Sequence, residues 1–140
     1  MHETLNPVRV LHFGFIPDTG GAGQWRGGCG IRKDIELLNS TAVLSHLGDR
    51  HVFHPYGIFG GKPGALAESL LNPDGNGERL HSKETRDIKR GDVLSFRLSG
   101  AGGYGPPEKR DRAAIARDIA DGYVTREAAE RDYGVKRLRE

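Results

Sequence analysis

Gly20-Gly21-Ala22-Gly23-Gln24-Trp25-Arg26-Gly27-Gly28-Cys29-Gly30 places six glycines in eleven residues. Read as a phosphate cradle, this stretch would announce an α/β fold; read as turns and bulges, it announces a β fold. The dinucleotide fingerprint needs G-x-G-x-x-G at a strand-to-helix turn. Gly21 and Gly23 supply the first two glycines, but Arg26 stands at the third position. The chain beyond Arg26 reads as strand, so no helix N-terminus faces a phosphate. The other phosphate-loop pattern requires Gly-Lys-Ser or Gly-Lys-Thr, and Gly61-Lys62 is followed by Pro63. The glycines therefore read as tight turns and bulges of a mainly β chain.

Upstream, residues 8–16 (Val-Arg-Val-Leu-His-Phe-Gly-Phe-Ile) are rich in β-branched and aromatic residues and predict a strand. Residues 24–38 predict a longer second strand with a glycine bulge. Ile31, Lys33 and Ile35 fall on one face, with Arg32, Asp34 and Glu36 on a solvated one. Short strands are expected at 41–47 and 51–53, around the turn Gly48-Asp49-Arg50. The glycines and prolines of 55–64 exclude a regular helix and predict an extended loop. A strand or single helical turn is expected at 65–71, a turn at 72–77, extended chain at 79–88 and a strand at 93–98. Residues 99–107 form a second glycine- and proline-rich segment.

After Pro107 the pattern changes. Residues 110–120 predict a helix with Ile115, Ala116, Ile119 and Ala120 on one stripe and Gly122 as its stop. Thr125 N-caps a second short helix ending at Gly134, with Val124 and Ala129 spaced as a hydrophobic staple. Helices this short are unstable alone in water and must pack through Ile115, Ile119, Tyr123, Ala128 and Tyr133. The expected organisation is a glycine-rich β domain, a small barrel or sandwich, over 1–107. A helical tail over 108–140 packs on it or on a partner subunit.

Composition bounds the function. The 140 residues carry a formal charge of +2, too balanced for a nucleic-acid binder. No apolar run approaches a bilayer span, and residues 1–7 lack the pattern of a signal peptide. One cysteine, Cys29, cannot form an internal disulfide. The chain reads as soluble and cytoplasmic. Glycine, at 21 residues, is about twice as frequent as usual, and apolar residues make up 36%. A short chain with so modest an apolar content has a marginal core, which a partner surface would support.

Candidate chemistry is sparse. His51 and His54 lie three apart, which on a strand puts them on opposite faces; Asp49 and His51 could share a face with His46 nearby. No metal ligand set is assigned. Cys29, flanked by Gly28 and Gly30, has no base assignable to it and reads as a small packed residue. No catalytic or cofactor-binding residue is assigned either. Trp25 and Arg26, of types over-represented among interface anchors, either project into a partner or, for Trp25, cap the domain's own core. Tyr104, before Gly105-Pro106-Pro107, suits an extended docking surface.

The block Gly21-Ala22-Gly23, then Trp25-Arg26-Gly27-Gly28-Cys29-Gly30, resembles a motif of hydantoinase B-type proteins. Leu71-Asn72-Pro73-Asp74-Gly75, Gly91-Asp92-Val93-Leu94, the run from Ser99 to Asp111, and Asp132-Tyr133-Gly134-Val135 agree in order and spacing. The chain is thus similar to the C-terminal portion of the hydantoinase B/oxoprolinase/acetone carboxylase family, as a stand-alone piece like the small subunit of acetophenone carboxylase. The resemblance implies a non-catalytic structural subunit of a biotin-independent, ATP-dependent ketone carboxylase of the acetophenone type. Its larger partners would be hydantoinase B-like and ATP-binding hydantoinase A-like subunits, with ATP and a divalent cation on those subunits. A subunit of an ATP-dependent hydantoinase or oxoprolinase is the alternative. A free-standing metal- or ligand-binding β module using His46, Asp49, His51 or His54 is a third. The interface candidates are Trp25, Arg26, Tyr104, Ile115, Ile119, Tyr123 and Tyr133.

Overall fold

The computed structural model describes residues 2–135, with His2 as backbone only. The end of the helical tail, 136–140, lies outside the described residues. The fold is mainly β: two antiparallel sheets packed as a sandwich, with no closed barrel among the described residues. Strands β1 (Val8–Ile16), β2 (Gly30–Leu37), β4 (Glu68–Leu71), β5 (Glu78–Arg79) and β7 (Val93–Arg97) form one sheet in the order β1-β2-β7-β4-β5. The other pairs β3 (Thr41–Leu47) with β6 (Lys83–Lys89).

Alternation explains why the sheets meet. On β3, Leu44 and His46 are buried while Thr41, Val43, Ser45 and Leu47 are not, the period of a strand with one covered face. Leu44 and Ile88 from the small sheet meet Leu37, Leu71 and Leu94 from the large one, with Leu80, in one apolar cluster. The His46 ring lies 5.6 Å from the Phe96 ring and so ties the two sheets together.

The second strand is shorter than 24–38. It begins at Gly30 because the backbone before it joins a block of three glycine-rich segments, 19–28, 56–64 and 99–105, packed backbone to backbone. Gly21 N–H donates to Ala101 O (2.8 Å), Lys62 N–H to Ala22 O (2.7 Å), Gly103 N–H to Lys62 O (2.9 Å) and Ile58 N–H to Gly103 O (2.9 Å). A Cβ on Gly100 would overlap the carbonyl of Thr19, and one on Gly102 that of Tyr56. Only hydrogen at Cα permits this spacing. Asp34, expected on a solvated face, is buried and accepts hydrogen bonds from Arg32 Nε (2.9 Å) and Nη2 (2.6 Å). Residues 51–53 bend rather than form a strand. The strand within 65–71 is confined to β4.

Helix α1 (His2–Leu5), unanticipated from the sequence, precedes β1; Glu3 Oε1 accepts from Val10 N–H (2.7 Å). A 3-10 turn (Pro107–Lys109) leads into α2 (Arg112–Ala120), N-capped by Asp111. Gly122 takes a positive φ of 76° after it. Helix α3 (Arg126–Tyr133) is N-capped by Thr125 and ends at Gly134 with φ 62°, a left-handed C-terminal stop. Ile115, Val124, Ala128, Ala129 and Tyr133 close over Ala22 of the glycine block as a second core, with Ile119 and Val135 at its margin. The buried stripe of α2 is Ile115, Asp118 and Ile119; Ala116 and Ala120 face outward. Among the described residues no helix is long and apolar enough to cross a membrane.

Candidate functional site

Where the glycine block meets the helices, Asp118 receives two arginines. Arg26 contacts it in a fork, Nε to Oδ2 at 3.1 Å and Nη2 to Oδ1 at 3.2 Å. Arg110 Nη2 lies 2.6 Å from Oδ2. All three side chains are largely buried. Arg26 Nη1 also donates to Gly27 O (2.7 Å) and lies 3.4 Å from Cys29 Sγ. Arg110 Nη1 donates to Gln24 O (3.1 Å). The guanidiniums stand over aromatic faces, Arg26 5.3 Å from the Tyr123 ring centre and Arg110 5.9 Å from that of Tyr133. Burial pushes the Asp118 carboxyl upward, and the bonds from Arg26 and Arg110 more than offset this, holding it below the ordinary carboxylate range. Burial lowers Arg26, and the bond to Asp118 reverses that to a net rise. Burial raises Tyr133. This charge-paired cluster ties the glycine block to α2 and to the segment that leads into it.

The hub explains the fate of several interface candidates. Ile115 and Tyr133 are covered by the chain's own second core and Ile119 packs at its edge, because α2 and α3 close on Ala22 rather than standing open. Arg26 points inward to Asp118 instead of outward beside Trp25. Tyr123 is half-buried between Arg26 and the edge of the Phe15 ring, 5.6 Å away. Asp118 and Arg110 escaped the sequence reading. Their signal was a carboxylate on the apolar stripe between Ile115 and Ile119, a position that in a buried helix face demands a cationic partner.

The remaining candidates lie on one exposed row. Trp25 and Tyr104 exchange both backbone hydrogen bonds (2.9 Å each), and Ile58 flanks Tyr104 in a parallel bridge. Residues paired across neighbouring segments present their side chains to the same face. The row therefore runs Trp25, Tyr104, Ile58, with the Phe59 ring 5.2 Å from that of Tyr104. These side chains are 65, 48, 46 and 73% exposed. Ile58 and Phe59 were missed because the proline- and glycine-rich segment around them reads only as loop.

Other features fall outside the hub and the row. The N–H groups of Gly21, Gly27, Gly61, Gly103 and Gly105 donate to carbonyls within the block, and that of Gly64 to Pro55 O, so these amides do not form a phosphate cradle. His46 and His51 meet edge to face at 5.5 Å. His54 instead pairs with Gly64 O through Nδ1 (2.8 Å). No three His, Cys, Asp or Glu among the described residues are grouped to hold a metal ion. An open groove of about 450 Å³ lies between Asp18, Lys62 and Arg131, and Asp18 is engaged as a cap on Thr125 N–H (2.7 Å).

The hydantoinase B/oxoprolinase family pattern matches residues 1–107, more than half of the chain. The chain belongs to the hydantoinase B/oxoprolinase family. This hydantoinase B-family chain is 37% identical over 96% of its length to an uncharacterized protein of Methanocaldococcus jannaschii, covering 24% of that protein. It is 29% identical over 95% of its length to a putative D-/L-hydantoinase subunit of a Pseudomonas species, covering 23% of it. The crystal structure of an ATP-dependent caprolactamase from Pseudomonas jessenii superposes with a TM-score of 0.84 at 27% identity, over 95% of this chain and 24% of that one. The chain thus spans about a quarter of the length of these relatives.

Proposed function

We propose that this chain is a structural, non-catalytic piece of an ATP-dependent cyclic-amide-opening enzyme, completing a larger hydantoinase B-type polypeptide. The observation that carries the reading is the likeness to a hydantoinase subunit and to an ATP-dependent caprolactamase over 95% of this chain. Hydantoin and caprolactam are both cyclic amides. Opening an unactivated ring amide calls for activation, and phosphorylation by ATP would supply it.

The chain's own groups support a structural part. Asp118 and Asp34 are paired with arginines of this chain, and the N–H groups of Gly21, Gly27, Gly61, Gly103 and Gly105 donate to its own carbonyls, so these groups are not free to cradle a nucleotide. ATP and its divalent cation belong, on this reading, to the large cytoplasmic hydantoinase A-like partner, and no step is assigned to residues here.

The test is turnover by the whole complex purified from its own cells. Hydantoin, caprolactam and 5-oxoproline with ATP are set against acetophenone with ATP and labelled bicarbonate. ATP-dependent ring opening is expected. Incorporation of label into acetophenone would instead establish the ketone-carboxylase alternative. Ring opening by the isolated chain would overturn the structural assignment.

A further inference from the structure

We infer that the row Trp25, Tyr104, Ile58 and Phe59 is the surface on which the large hydantoinase B-type polypeptide docks. The inference rests on the function proposed above and names the face it uses. The row is produced by the glycine block. Gly23 lies against Tyr104, Gly61 against Gly103, and Gly102 against the carbonyl of Tyr56. No side chain fits inward there, so the large ones stand outward on one face. Backbone bonds on both sides of Tyr104 hold them in place.

Phe59 and Gly60 are the inner residues of a tight turn, with φ 51° and 93°, closed by the Gly61 N–H donating to Ile58 O (3.0 Å). Positive φ at both positions is what such a turn requires, and it sets the Phe59 ring out in solvent beside Tyr104.

The occupant follows from length and chemistry. Relatives of this chain run to about four times its span, so in them the matched segment has some three quarters of a polypeptide beside it. The row has no charged member. It offers an indole N–H and a phenol O–H on an apolar base, the composition of interface anchors rather than of a solvated rim. The partner face it fits is apolar, with acceptors for those two donors.

The test installs a photoreactive benzoyl-phenylalanine at Phe59 or Tyr104 and, as separate controls, at Phe13 or Leu47, both also exposed. Each variant is expressed in the source organism's cells, irradiated, and its adducts identified by mass spectrometry. Adducts to a hydantoinase B-type polypeptide from Phe59 and Tyr104, but not from Phe13 or Leu47, are expected. Such adducts from Phe13 or Leu47 alone would overturn the docking face and leave the proposed function standing. The absence of such adducts from every position would remove both. Adducts only to a second copy of this chain would also overturn the assignment. In the purified complex, Trp25→Ala is expected to weaken binding about thirtyfold without changing the chain's own melting; an unchanged Kd would sink the proposal.

Discussion

Asp118 is where one side chain decides most. Two guanidiniums converge on its carboxylate from Arg26, near the chain's beginning, and Arg110, at the entry to α2. Removing that charge leaves two cations facing each other in a largely buried site. Asp118→Asn is therefore expected to cost about 3–5 kcal/mol, read as a lowered urea midpoint with an unchanged slope. The pH dependence follows from the direction of the shift. The folded carboxyl titrates below the unfolded one, so its contribution is complete above about pH 4 and is lost as pH falls through the lower folded value. A variant lacking Asp118 should lose less stability across that acid range than the parent. This pairing was hidden in the sequence because Arg26 and Asp118 stand 92 residues apart. The misplaced carboxylate on an apolar stripe was visible, but its partners were not.

Among the elements, strands declared themselves and the glycine block did not. β1, β3 and β7 follow from β-branched and aromatic residues, and the start and stop of α3 from Thr125 and Gly134, because side chains carry those signals. Thr125→Ala removes the oxygen that accepts from Ala128 N–H (3.2 Å) and is expected to cost about 1 kcal/mol, measured by thermal or urea unfolding. The glycine block is held through backbone atoms, which every residue shares, so composition announces bends without saying which segments meet. Its positions can nevertheless be told apart. A Cβ on Gly102 would overlap the carbonyl of Tyr56, whereas one on Gly28 meets nothing within 4 Å. Gly102→Ala is expected to destabilise by about 1–3 kcal/mol or more, and Gly28→Ala to stay within about 0.5 kcal/mol of the parent. Equal urea midpoints for the two variants would refute the close packing.

Over the whole molecule, two apolar clusters share the work, one between the sheets and one under α2 and α3. His46 lies beside the first, its ring 5.6 Å from that of Phe96 across the sandwich. Burial, and then the neighbouring His51, lower its proton affinity, against a smaller opposing pull from Glu84. The unfolded chain therefore takes up this proton at higher pH than the folded one. Stability should be present above about pH 6.5 and decline as pH falls below it. His46→Phe should flatten that decline in a series of urea melts; an unaltered slope would exclude His46 as its origin. The sandwich was foreseeable as one of two β architectures, since alternation reveals covered faces without saying whether a sheet closes on itself.

The glycine block also has a consequence for heredity. Every missense change in a glycine codon yields an amino acid with a Cβ, from alanine upward. At Gly21, Gly27, Gly61, Gly100, Gly102 and Gly103 that atom collides with main chain, which no repacking of neighbouring side chains relieves. Drift at these codons is confined to synonymous exchange, so lineages should diverge around the block long before they diverge within it.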